Sequence, residues 1–260
     1  MPESRIPKTT RVINGSPAVP SEFPWRCSLH INDKTSFMCT CTVISPSMVL
    51  TAAHCLSGIS TSSRLLIKVG AIDKGATTEG GTSVWMSTKG YVKYPLYDGK
   101  QKHDIALVYL ATRLTFSPSI HPACLPFSLR SRKLEGSVGT ISGWGLTQWG
   151  GSASEKLIKA DMPVLAEDVC RKMYGSYWPE NNLCVGGQGR SACKGDSGGG
   201  LDIVVNGRSY TVGVAQGVAP QCMTNVPNIY MKVANYLDWI SGISRLVRWR
   251  RTLSTLRCCG

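Results

Sequence analysis

The chain has 260 residues, with 29 Lys and Arg against 16 Asp and Glu, a formal net charge of +13, and 42% hydrophobic and 17% charged residues. This is the composition of a globular protein with a real core, and no run approaches the roughly 18 apolar residues of a membrane-crossing helix. The charge suits acidic surfaces such as glycosaminoglycans, but no nucleic-acid module accompanies it and no specific nucleic acid is expected as a partner. The opening MPESRIPKTT holds no apolar centre of a secretory signal. That leaves a removed signal, a late start or an intracellular chain open. Eleven cysteines suggest an oxidising compartment, and their odd number leaves at least one thiol over. The CTC and CC pairs lack zinc-ligand spacing.

Short runs rich in Val, Ile, Thr and Tyr recur between turn residues: TVISPSMVLTA, RLLIKVGA, TSVWMST, DIALVYLA, GTISGWG, SYTVGVA and NIYMKVA. They predict an antiparallel all-β sandwich or barrel. The middle, TRLTFSPSIHPACLPFSLRSRKLEG, is rich in Pro and Ser and reads as a connection between two halves. Only the end reads as helical, with apolar residues at Val233, Leu237, Ile240, Ile243 and Val247. Arg245, Arg248 and Arg251 fall on another face. No repeat of fixed period is visible.

The stretch SACKGDSGGG places Ser197 between an aspartate and glycines. That is either a Gly-rich turn or a nucleophile. Serine acyl transfer needs a base, an acid that orients the base, and donors for the oxyanion. Among the four histidines, His54 lies in TAAHC, a run of small residues closed by a cysteine, whereas His30, His103 and His121 read as surface residues. Asp104 opens the apolar run DIALVYL and is the candidate orienter. His103, its chain neighbour, points to the opposite face of an extended strand.

TAAHC, DIAL and GDSGG, in that order and at these separations, identify the chain as similar to the chymotrypsin/trypsin family of serine endopeptidases, from Val12 to about Ser244. The resemblance implies two antiparallel six-stranded Greek-key barrels with a C-terminal helix. It divides the chain into a propeptide (1–11), an N-terminal barrel (12–124), a C-terminal barrel and helix (125–244) and a basic, Cys-containing tail (245–260). It implies His54 as general base, Asp104 as its orienter, Ser197 as nucleophile, and the N–H groups of Gly195 and Ser197 as the oxyanion hole. TTRVINGSP resembles the family's activation site, cut between Arg11 and Val12, with the new ammonium pairing with Asp196. On this reading the chain is a zymogen awaiting a trypsin-like protease, with the oxyanion loop unformed before the cut.

The same resemblance maps three disulfides: Cys39–Cys55, Cys170–Cys184 and Cys193–Cys222. A fourth, common in relatives, is lost with Gly139 and Ile203. Cys27 and Cys41 fall on neighbouring strands. Cys124 matches a position that tethers the propeptide in some relatives, yet residues 1–11 contain no cysteine. The pocket floor maps to Ser191, with Ala192 and Lys194 after it, so there is no carboxylate to select Lys or Arg. The substrate strand maps to Gln216, Gly217 and Val218, or to Ala215, Gln216 and Gly217 with a gap. Asn228 stands where relatives usually have glycine. Together these imply a chymotrypsin- or elastase-type pocket for small or medium apolar side chains. Ala71 replaces the first carboxylate of the family's calcium loop, so neither metal nor cofactor is expected. The implied protein is a secreted, monomeric endopeptidase of peptides and proteins. The alternatives are a non-catalytic homologue and a basic protein that binds polyanions through its tail.

Overall fold

A computed structural model describes residues 12–60, 62–75 and 82–248. Residues 1–11, expected to be a propeptide, and most of the expected basic tail (245–260) lie outside these residues. The first half runs β1 (Ser16–Pro17), β2 (Arg26–Ile31), β3 (Phe37–Ser45), β4 (Met48–Thr51), β5 (Leu65–Val69), β6 (Val84–Lys93) and β7 (Ala106–Leu110). Strands β2 to β7 close into an antiparallel barrel in the order β2-β3-β4-β7-β6-β5, sealed by pairing of β2 with β5.

The connection 111–137 leads to β8 (Val138–Gly143), β9 (Ile158–Leu165), α1 (Glu167–Tyr174), β10 (Asn182–Gly186), β11 (Gly200–Val205), β12 (Arg208–Gly217), β13 (Pro227–Lys232) and α2 (Leu237–Arg248). Strands β8-β9-β10-β13-β12-β11 form the second barrel, closed by β8 against β9. The two six-stranded barrels and the C-terminal helix are the expected architecture. Local chemistry explains the elements. In β9, Ile158, Ala160, Met162 and Val164 are buried while the intervening residues face outward, the period of two that a half-buried strand requires. β11 and β12 are joined at Asn206-Gly207, both with positive φ (50° and 74°), the turn whose twist suits a two-residue hairpin.

Each barrel has its own core. Leu29, Val43, Leu50, Ile67, Ile105 and Leu107 fill the first, and Ile141, Met162, Val185, Leu201 and Val212 fill the second. Helix α2 follows the second barrel in sequence but packs Leu237 and Ile240 into the core of the first, strapping the halves together. A buried ion pair joins them too. From β2, the Arg26 guanidinium pairs with Asp202 of β11. It also donates to Ser142 Oγ (2.8 Å), Thr42 Oγ1 (2.6 Å) and Gly200 O (3.2 Å). Asp202 is completed by Trp25 Nε1 (2.8 Å) and Thr211 Oγ1 (2.6 Å).

Two expectations need correction. Helix is not confined to the end: α1 is a second one, buried only at Cys170, so it carries no apolar stripe for a sequence pattern to reveal. His30 is not a surface residue. It is 1% exposed, because its ring packs edge-on against Phe37 and Trp85 and its Nε2 lies 2.9 Å from Ser28 Oγ. Burial, then the charges of Lys68 and Lys74, lower its pKa to about 4.

The loop after β5, where the resemblance places a calcium site, holds a positive charge of the chain itself. Lys68, fully buried, donates from Nζ to the carbonyls of Asp73 (2.9 Å) and Lys74 (3.2 Å).

Candidate active site

Strand β4 ends at Thr51 and passes through Ala52 and Ala53 into a single helical turn, His54–Leu56. The disulfide Cys39–Cys55 ties this turn to β3. Asp104 stands two residues before β7, which pairs with β4, so the barrel register brings the two residues together across 50 positions of sequence. The His54 backbone N–H donates to Asp104 Oδ1 at 2.7 Å, and His54 Nδ1 lies 2.6 Å from Asp104 Oδ2. Asp104 is 1% exposed. A buried carboxylate gripping Nδ1 holds the proton there and leaves Nε2 as the acceptor. His103 is turned away onto Tyr94 and the Tyr236 hydroxyl. The ligand atoms of Cys39, His54 and Cys55 lie within 4.8 Å of one another, but the two sulfurs are bonded together and cannot serve a metal.

Ser197 sits in the loop that leads into β11 from the second barrel. Its carbonyl accepts from Thr40 N–H of β3 at 3.0 Å, and Gly198 N–H donates to Ala215 O at 2.8 Å. A Cβ at Gly198 would lie 2.1 Å from Thr51 Oγ1 and 3.1 Å from Ala52 N, so the strand that delivers His54 touches the loop that carries Ser197. The Ser197 hydroxyl and His54 Nε2 share no hydrogen bond in this structure.

Gly195 has φ +99°, and a Cβ there would meet Gly145 Cα and Phe37 Cε1 at 3.0 Å, so both backbone and space demand glycine. Among the described residues, the N–H groups of Gly195 and Ser197 donate to no other residue. Two unspent backbone donors within three residues are unusual in a protein interior, and they suit an external oxygen.

Asp196 between them is buried, accepting from Gly145 N–H and Cys193 N–H, both at 2.9 Å. Among the described residues it has no ion-pair partner, and burial raises its pKa to about 6. Val12 is buried in the core of the second barrel together with Ala192. Ile13 N–H donates to Ser191 O at 3.2 Å and Asn14 Nδ2 to Gly189 O at 2.6 Å. The loop is therefore formed here with Val12 docked, where an unformed loop was expected.

The pKa of Asp196 makes a prediction. A carboxyl whose folded-state pKa exceeds its unfolded one stabilises the fold fully below the unfolded value. That contribution is lost as pH rises through the folded value. An uncleaved protein, Arg11→Gln, should lose about 3 kcal/mol from this group between the ordinary 3.8 and about 6. Urea unfolding across that window measures it, and Asp196→Asn should remove this part of the slope.

The remaining sequence candidates gather near the loop. Ser191 Oγ lies 2.9 Å from Ala192 O and 3.2 Å from Asn228 Oδ1, with one proton for the two acceptors, and Asn228 Oδ1 also accepts from Ala219 N–H (3.1 Å). Ser191, Ala192 and Asn228 are buried, whereas Lys194 is exposed. Gln216 turns inward, accepting from Asn182 and donating to Gln101 O at 2.6 Å. β12 ends at Gly217, and Val218 lies just beyond it, half-buried. Cys170–Cys184 and Cys193–Cys222 are formed, as is Cys27–Cys41 between directly paired positions of β2 and β3. Sequence reasoning missed the Ser191–Asn228 contact, because nothing local marks two residues that meet across strands.

Comparison with known proteins fits this geometry. The Trypsin family model matches residues 12–240. The chain is 32% identical over 259 residues to CLIP domain-containing serine protease B4 of Anopheles gambiae, covering 92% of this chain and 72% of that protein. It is 33% identical over 239 residues to Ovochymase of Halocynthia roretzi (88% and 15%) and 33% over 239 residues to Venom serine protease 34 of Apis mellifera (89% and 58%). The chain thus spans less than two thirds of the length of two of these three relatives.

Proposed function

Because the chain belongs to the trypsin family, we propose that it is a secreted serine endopeptidase, made inactive and switched on by cleavage between Arg11 and Val12. His54 Nε2 takes the proton of Ser197 Oγ as the oxygen attacks the scissile carbonyl. Asp104 holds the imidazole and balances its charge, and the N–H groups of Gly195 and Ser197 receive the oxyanion. His54 then protonates the leaving amine, and water releases the acyl group by the same steps in reverse. The observation that carries this reading is the pair of unspent N–H donors on the Ser197 loop, held against the strand that delivers the His54–Asp104 couple. Catalytic hydrogen bonds are often open before substrate arrives, so the gap between Ser197 and His54 is compatible with it.

Activation follows from electrostatics. A buried carboxylate without a counter-charge is costly, and the ammonium released at Val12 would supply one to Asp196. Specificity follows from Ser191 and Asn228: the floor offers no charge for Lys or Arg, and the Asn228 amide occupies volume. Small or medium apolar side chains are the expected fit.

A non-catalytic homologue is the rival, favoured by the missing Ser197–His54 hydrogen bond. One experiment separates the two. Protein cleaved after Arg11 is expected to take a fluorophosphonate on Ser197 and then to cut a peptide library after small apolar residues. The Arg11→Gln protein should do neither. Absence of labelling after verified cleavage at Val12 would favour the homologue.

A further inference from the structure

We propose that Lys74, in the loop after β5, is a positioning residue for the oxyanion donors: its ammonium steadies both groups that pack against Gly195. The role rests on the peptidase reading and extends it to a side chain that touches none of the reacting atoms.

Lys74 is only 7% exposed, and an ammonium is rarely hidden unless it is paired. Its Nζ donates to Ser154 O and to Glu155 Oε1, both at 2.8 Å. The same atom stands 5.4 Å from the centre of the Phe37 ring, a distance at which a cation is attracted to an aromatic face. Backbone contacts run alongside. Lys74 N–H donates to Glu155 O at 2.9 Å, Leu157 N–H to Ile72 O at 2.6 Å, and Trp144 Nε1 to Ile72 O at 3.0 Å. A loop of the first half is thereby fastened to the segment 144–157 of the second.

Two routes lead from the ammonium to Gly195. Along one, Ser154, whose carbonyl Lys74 holds, donates its N–H to Gly145 O at 3.0 Å. Gly145 N–H in turn donates to Asp196 Oδ1 at 2.9 Å, and Asp196 stands between the two oxyanion donors. The other route is Phe37 itself, beneath the ammonium. A Cβ at Gly195 would lie 3.0 Å from both Gly145 Cα and Phe37 Cε1, so these two groups are the walls of that peptide. Glu155 is on neither route: its side chain is 63% exposed, and ion pairs open to water contribute little. Backbone donors cannot turn independently of the chain. They are aimed by what packs against them, and misplacing a reacting group by about 1 Å can cost roughly 100-fold in rate.

The test uses protein cleaved after Arg11, as wild type, Lys74→Met and Lys74→Arg. Methionine keeps the stem and strands no buried charge, because the Glu155 carboxylate is open to water; urea unfolding checks that the variant folds. Lys74→Gln, neutral but polar at its tip, gives the same comparison should the methionine variant prove unfolded. Removing the ammonium is expected to lower kcat roughly 10- to 100-fold with KM for a peptide amide unchanged. A peptide ending in alaninal, whose adduct with Ser197 places an oxyanion against the donors, should bind more weakly by the same factor. The matching peptide alcohol, which forms no adduct, should bind as before. Lys74→Arg, which keeps a cation by Phe37 and a donor for Ser154, should recover most of the loss. Wild-type kcat and aldehyde affinity in the neutral variant would overturn the role. So would equal weakening of aldehyde and alcohol, the mark of a general loss of order. Fluorophosphonate labelling of cleaved wild type comes first: its absence overturns the peptidase reading and this role with it, whereas a labelled wild type and an unaffected neutral variant overturn this role alone.

Discussion

Ser197→Ala is expected to lower kcat of the cleaved protein about a millionfold while leaving its unfolding transition where it was. Only an oxygen on a half-exposed loop residue is removed, and that hydroxyl has no hydrogen bond to lose in the structure. The strands and the Thr40–Ser197 backbone contact stay intact. Asp104→Asn should cost about 10⁴ in kcat, since an amide can fix the imidazole in the wrong tautomer at the same distance. Active-site titration of both variants with a chromogenic ester checks this. Equal turnover by Ser197→Ala and wild type would remove Ser197 from the chemistry.

The largest effect on stability is expected at Arg26. Its guanidinium is fully buried and its partner Asp202 nearly so. Arg26→Met leaves that carboxylate in the seam with only the Trp25 and Thr211 donors. Breaking a buried pair from one side costs about 3–5 kcal/mol, which for a domain of this size lowers Tm by roughly 10 °C. Replacing both partners, Arg26→Met with Asp202→Leu, should restore most of the loss, because the penalty belongs to the stranded charge and not to the missing attraction. Urea unfolding of the two single variants and the double variant measures the coupling. A single variant as stable as wild type would mean the pair contributes nothing to holding the barrels together.

What could be read from the sequence follows physical range. Strands β4, β5, β7 and β13 stand out because a short run of aliphatic, β-branched and aromatic residues between turn signals is a local property. Asn206-Gly207 marks its hairpin for the same reason. Helix α1 escapes because it is short and buries only Cys170, bonded to Cys184 of β10, while its local signals are polar: Glu167 and Asp168 at its start, and the Glu167–Arg171 pair one turn apart at 2.6 Å. β2 escapes because RCSLHI, buried on both faces, shows no alternation, and that is why His30 read as exposed. In the site, His54, Asp104 and Ser197 are legible as motifs, but their assembly depends on barrel register. Arg26 with Asp202, and Ser191 with Asn228, have no motif at all. Their partners are 176 and 37 positions away, and no window of local sequence contains both.

The backbone contact between Thr40 and the Ser197 carbonyl has a wider consequence. On the proposed mechanism the reactive oxygen belongs to one barrel and its base to the other, so turnover would measure how well the two halves are aligned. A nick in the connection 111–137, or a ligand wedged into the seam, could silence the protein without touching any reacting atom. Inhibitors of that kind would spare proteases whose seams are built from other residues.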